Sequence, residues 1–308
     1  MPNPILIHEV GPRDGLQVEK NVVPTADKIA WIEKLIASKV DVVQLGSFVN
    51  PDKVPQMADT EALFLHFNKP ENRPKETALS ALVLNEKGLD RGFACGVEYF
   101  CMGVSASETH SRKNTGMSTE EAIERIIPMA KRAVLAGAMV QLSVQSAFGC
   151  GYEGKIAHGR VLEIIKRYVD AGLPVISLAD TAGHAVPSEV EDLFGLVREL
   201  APHVILAAHF HDTYGLAVAN CWAALRGGVR YIEAANAGLG GCPFTAVTGG
   251  NVATEDVVHM LQRMGLRNDI RNDVLIEAAK LVSNLLGRTL PGKIHMTGAI
   301  PERELVKA

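Results

Sequence analysis

Residues 159–211 read GRVLEIIKRYVDAGLPVISLADTAGHAVPSEVEDLFGLVRELAPHVILAAHFH. Gly159–Ala171 spaces its apolar residues at i, i+3 and i+4, the stripe of a helix with one buried face. Val175–Leu178 is a short apolar run, a strand signal. Pro187 opens a second helical segment, in which Ser188 and Glu191 have capping-box spacing. Ile205–His211 is another run. Strands alternating with helices imply parallel pairing, because parallel strands need long crossovers. The alternation continues outward through Ile5–Val10, Val42–Phe48, Ala78–Leu84, Tyr99–Val104, Val140–Val144 and Tyr231–Ala235. Eight runs is the strand count of a (β/α)8 barrel. Ala26–Lys39 places Ile29, Ile32, Leu35 and Ile36 on one face, and Thr119–Ala136 repeats the pattern. Two more helical segments, Asn251–Met264 and Asp273–Leu286, exceed the minimal barrel. They read as a C-terminal helical appendage, about 251–308, on one domain spanning 1–308. A doubly wound open sheet is the alternative, but it does not need eight units, and no GxGxxG follows the first run.

Composition narrows the function classes. The 308 residues are 47% hydrophobic, enough for a large core, and α/β barrels run to about 250 residues as one domain. A net charge of −4 gives no basic field for nucleic acid or an anionic membrane. No apolar run is long enough to span a bilayer, and the N-terminus reads as lacking a signal segment. Cys95, Cys101, Cys150, Cys221 and Cys242 form no CxxC pair; an odd, scattered set is expected of a reducing, cytoplasmic compartment.

In barrels, catalytic groups gather at the C-terminal ends of strands. The first run ends in Glu9-Val10-Gly11-Pro12-Arg13-Asp14-Gly15, the sixth in Ala179-Asp180-Thr181, and the seventh in His209-Phe210-His211-Asp212-Thr213. Alternate strand residues share a face, so His209 and His211 converge while Phe210 faces away. Imidazoles with a carboxylate, which Asp14 can supply, suit a divalent metal; two ordinary polar histidines in a loop is the competing reading. Arg13 can clamp a developing enolate beside such a metal or simply pair with Asp14. Cys242 lies in the glycine-rich loop Gly238–Thr245, where it is open to a role as proton donor or base, or to the commoner fate of an inert buried thiol.

Glu9–Gln17, Ser47-Phe48-Val49, Val54–Met57, His209–Gly215, Gly238–Pro243 and Gly250–Asp256, in order over nearly the whole chain, resemble the 3-hydroxy-3-methylglutaryl-CoA lyase family. The resemblance implies a (β/α)8 barrel, a homodimer and a Mg2+ or Mn2+ cofactor. It also implies an acyl-CoA substrate cleaved to acetyl-CoA and a keto acid. It makes Asp14, His209, His211 and Asn251 the metal ligands, Arg13 the stabiliser of the thioester enolate, and Asp180 the acidic residue near the substrate. Cys242 becomes the cysteine of the mobile loop, and Lys20, Ser47 and Asn114, with Arg112 and Lys113, fall on the CoA side; solvated surface charge is an equal reading for Arg112 and Lys113.

Two positions depart from the family pattern. Gln44 stands where the family has a Glu, and Gln141 where it has an Arg. The expectation is a linked exchange at the acyl end of the pocket, one anionic and one cationic group lost together, with tolerated drift as the alternative. Three functions follow: a lyase for 3-hydroxy-3-methylglutaryl-CoA, a lyase for a related citramalyl-CoA-like or longer branched 3-hydroxyacyl-CoA, and a silent CoA-binding protein.

Overall fold

The structure, a computed structural model, describes residues 4–241 and 249–300. Eight parallel strands close into one barrel: β1 (Leu6–Glu9), β2 (Val42–Ser47), β3 (Ala78–Leu82), β4 (Tyr99–Ser105), β5 (Met139–Gln145), β6 (Val175–Asp180), β7 (Ile205–Phe210) and β8 (Tyr231–Ala234). β1 closes on β8 with Leu6 opposite Tyr231 and Glu9 opposite Ala234. The connecting helices are α1 (Thr25–Ala37), α2 (Thr60–Phe67), α3 (Glu86–Ala94), α4 (Glu108–Thr115), α5 (Thr119–Leu135), α6 (His158–Asp170), α7 (Pro187–Leu200) and α8 (Ala217–Arg226). α9 (Thr254–Arg263), α10 (Asn272–Leu286) and the short α11 (Ile294–Thr297) follow the barrel. No helix among the described residues is long and apolar enough to cross a membrane.

The strands' outward residues, such as Ile7, Val43, Leu142 and Ile176, pack under the helices as one core. Inside the barrel the chemistry changes with height. Near the N-terminal end Val42, Tyr99, Cys101, Ala207 and Tyr231 form a small apolar cluster. Above it His8, Gln44, Ser80, Gln141, Ser177 and Glu233 are all buried. Such an interior needs internal hydrogen bonds, since an unpaired buried polar group costs about 1–3 kcal/mol.

Two sequence expectations need correction. Ser188 and Glu191 form no capping box: α7 already begins at Pro187, with Val186 as N-cap and no side-chain cap. Proline's fixed φ suits the first helical position, which places Ser188 two residues past the N-cap. The capping box that exists is Ser118 with Glu121, at the start of α5. Asn251 does not open a helix either; it bridges to His211, and α9 starts three residues later at Thr254. The N–H of Val252 donates to Phe210 O at 2.9 Å and that of Ala235 to Val252 O at 3.0 Å, so this segment lies between the ends of β7 and β8.

Trp31 ties α1 to this arrangement. It is fully buried, and its Nε1 donates to Asn236 Oδ1 at 3.1 Å just past β8. We expect Trp31→Ala to lower unfolding free energy by about 3–5 kcal/mol in urea denaturation, the usual cost of truncating a buried aromatic.

Candidate metal centre

After β1 the chain turns tightly through Gly11–Gly15, with Val10 O accepting from Asp14 N at 2.7 Å. The turn carries Arg13 and Asp14 over the barrel mouth. It needs glycine at 15, where an added Cβ would stand 2.7 Å from Leu239 Cβ. His209 lies on β7 and His211 just beyond it, their ring centroids 5.2 Å apart. The two Nε2 atoms stand 3.8 and 3.9 Å from Asp14 Oδ2. Asn251, bridged to His211, donates its amide to Asp14 Oδ2 at 2.8 Å and to Leu239 O at 3.0 Å. Three loops and a strand thus bring together four residues from distant parts of the chain.

Asp14 is only 7% exposed, yet its carboxyl is held well below the usual range. Burial pushes it upward, but the charges of Arg13, His209 and His211, with the Asn251 amide, outweigh burial. Arg13 bonds Asp14 Oδ1 and leaves Oδ2 toward the histidines. The structural ion pair and the clamp are therefore compatible. Burial, and His209 beside it, bring His211 down to about 4. His209 is raised: burial opposes protonation, but the bond to Glu233 prevails.

His209 Nδ1 lies 3.0 Å from Glu233 Oε2, and His211 Nδ1 lies 3.4 Å from Gly249 O. Both acceptors call for a proton on Nδ1, which leaves each Nε2 lone pair facing Asp14. Asn251 Oδ1 is buried with no partner among the described residues. Two imidazole nitrogens, a carboxylate and an unsatisfied amide oxygen fit a divalent metal.

The sequence model of the HMGL-like family matches residues 4–282. The chain belongs to that family. It is 39% identical to the human mitochondrial hydroxymethylglutaryl-CoA lyase over 300 residues, covering 96% of this chain and 89% of that one. Among solved structures it is similar to the HMG-CoA lyase of Bacillus subtilis, with TM-score 0.90, 35% identity and 96% and 98% of the two chains covered. An Acinetobacter baumannii HMG-CoA lyase in complex with coenzyme A and 3-methylmalate gives TM-score 0.90 and 33% identity, with 98% and 97% covered.

The remaining expected residues of this HMGL-like chain are dispersed. Gln44 is buried on β2, and its Oε1 accepts from Arg13 Nε. Gln141 is deeper, donating to Glu233 Oε1 at 2.6 Å and accepting from the Tyr99 hydroxyl at 2.9 Å. The two amides therefore belong to different bond networks. Asp180 is fully buried, and its carboxyl accepts from His184 N at 2.8 Å and Ala185 N at 3.0 Å. Burial pushes it up to about 6, against its backbone N–H bonds and the charge of nearby His209, and both oxygens also anchor the loop after β6. Ser47 is buried at the end of β2 with its Oγ unpartnered. Lys20 and Asn114 are exposed. Arg112 pairs with Glu108 at 2.8 Å, and Lys113 lies 3.8 Å from the Tyr152 ring centroid. Cys242 lies outside the described residues.

Sequence reasoning missed Glu233. The parity that selects His209 and His211 also selects it, as the one charged residue within the run Tyr231–Ala235. His211→Ala should abolish stoichiometric Mn2+ binding while the fold persists. Full metal occupancy in that variant, read by calorimetric titration, contradicts the assignment.

Proposed function

We propose that this chain is a divalent-metal-dependent carbon–carbon lyase, acting as a homodimer on one barrel domain. It cleaves 3-hydroxy-3-methylglutaryl-CoA to acetyl-CoA and acetoacetate. The observation that carries this reading is the convergence of Asp14, His209, His211 and Asn251 at the barrel mouth with Arg13 alongside. It occurs in a chain similar over nearly its full length to hydroxymethylglutaryl-CoA lyases.

Asp14, both histidines and the free Asn251 oxygen would hold Mg2+ or Mn2+, which when bound lowers the pKa of the substrate's tertiary hydroxyl. Once the hydroxyl proton leaves, the carbon–carbon bond breaks, the oxygen becomes a ketone, and the electron pair enters the thioester enolate. Arg13 is placed to offset that enolate's charge, since Asp14 and Gln44 fix its guanidinium at the mouth. Preorganised donors of this kind contribute about 3 kcal/mol. Cys242 is the proposed group that takes the hydroxyl proton or returns one to the enolate carbon. Lys20, Ser47 and Asn114 are proposed contacts for the CoA portion. Asp180 is the proposed acidic residue near the substrate, and its bonds to the His184 and Ala185 N–H groups also shape the loop after β6.

A related 3-hydroxyacyl-CoA is the second reading, favoured by one observation. Gln44, a neutral amide, meets the arginine proposed to face the acyl group. An amide offers both donor and acceptor there, where a carboxylate only accepts. A silent CoA-binding protein leaves the cluster of buried metal-ligating groups without a purpose.

Arg13→Met should cut kcat about 10²–10³-fold, with substrate binding less affected. A panel of 3-hydroxyacyl-CoA thioesters with Mg2+ and Mn2+ separates the substrates. Gln44→Glu should change the kcat/KM ratio between 3-hydroxy-3-methylglutaryl-CoA and its analogues by about tenfold or more; an unchanged ratio removes Gln44 from substrate choice.

A further inference from the structure

Glu233 lies on β8, buried inside the barrel and paired in register with His209 of the metal cluster. Its Oε1 accepts from Gln141 Nε2 at 2.6 Å and from Ser177 Oγ at 2.7 Å, and its Oε2 meets His209 Nδ1 at 3.0 Å. The direction of each bond is determined from the far end. The Tyr99 hydroxyl donates to Gln141 Oε1 at 2.9 Å, which turns the Gln141 amide nitrogen toward Glu233. Glu233 is a carboxylate that can only accept, so it accepts from Gln141 and Ser177 at Oε1 and from His209 at Oε2. Among the described residues, His211 Nδ1 meets only the Gly249 carbonyl, at 3.4 Å.

We infer that Glu233 is a positioning residue for the metal centre: it holds His209 in the Nδ1–H tautomer, so that Nε2 presents its lone pair beside Asp14. The inference rests on the metal-centre reading above. It also gives Gln141 a task different from contact with substrate. Gln141 and Ser177 aim the carboxylate, and Tyr99 aims Gln141. A carboxylate beneath a ligating histidine fixes the ring and raises its basicity, and losing one typically costs 10–100-fold in metal affinity.

The isosteric change Glu233→Gln makes a sharp test. Gln141 and Ser177 both donate, so the introduced amide keeps its oxygen toward them and turns its NH2 toward His209. His209 Nδ1 must then accept, and its proton moves to Nε2, where it blocks the metal. The double change Glu233→Gln with Gln141→Glu reverses this. The carboxylate at 141 accepts from both Tyr99 and the new amide, whose oxygen now faces His209 Nδ1. We expect Mn2+ affinity, measured by calorimetry on metal-free protein, to fall about 10–100-fold in Glu233→Gln. It should recover by at least half of that loss, on a logarithmic scale, in the double variant. Ring-15N NMR at alkaline pH, where both imidazoles are neutral, should show the His209 proton on Nδ1 in the wild type. It should sit on Nε2 in the single variant and on Nδ1 again in the double.

Unchanged Mn2+ affinity in Glu233→Gln overturns the inference, as does a wild-type His209 protonated on Nε2; the latter needs no variant to fold. A loss of affinity that the double variant does not repair, with the tautomer unmoved, also overturns it, because Glu233 is then only structural. A wild type that binds no Mn2+ overturns the metal-centre reading itself, a result distinct from the others.

Discussion

The buried carboxylate of Asp14 is the constraint around which the barrel mouth is organised. An ion at that depth costs several kcal/mol unless charge and hydrogen bonds surround it. One oxygen is met by Arg13 from the adjoining position, and the other by the Asn251 amide. Both histidine Nε2 atoms stop nearly 4 Å short of that second oxygen, too far to bond it. They stand at the spacing of ligands around a common centre. The tight turn after β1, the glycine at 15 and the bridge between His211 and Asn251 all serve to bring these groups into one place.

Beneath this layer the barrel departs from a hydrophobic filling. Interiors of such barrels are usually packed with branched aliphatic side chains. Here the middle layer holds His8 bonded to Ser80 at 2.8 Å, and Gln141, Ser177 and His209 gathered on Glu233. The bonds converging on Glu233 rigidify what they hold, while His8 Nδ1 has no partner among the described residues. The aliphatic filling is confined to the bottom of the barrel and to the outer faces of the strands. The interior therefore trades apolar packing for control over how one metal-ligating ring is oriented.

This division explains what the sequence could and could not disclose. Strand number and order were legible because the outward faces, such as Ile7, Val43 and Ile176, must be apolar under the helices. The convergence of His209 and His211 was legible from strand parity alone. Parity reports a face and never a partner, so Gln141 could be assigned to the interior without its bonds to Glu233 and Tyr99 being foreseeable. Asn251 looked like the start of a helix because helical periodicity follows it; its bridge to His211 depends on where the chain goes after β8. Asp180 was legible as a charged strand end, but its bonds to two backbone N–H groups four and five residues on depend on the path of the loop after β6.

The two glutamines that depart from the family pattern act on different parts of the site. Gln44 touches the guanidinium at the mouth, whereas Gln141 touches only the support of a ligating histidine. Because Gln141 is uncharged, the pull of the Glu233 carboxylate on the His209 imidazole is not shared with a guanidinium at position 141. Arg13 offsets Asp14, so with neutral histidines the Glu233 charge is left over and this group is net anionic. A divalent cation reverses that sign. The centre then attracts the carboxylate of an anionic substrate and accommodates the charge of an enolate. Without the cation, the same buried groups repel both. In the proposed reading metal occupancy and substrate binding are therefore coupled through charge, and Glu233 contributes to that coupling through its bond to His209.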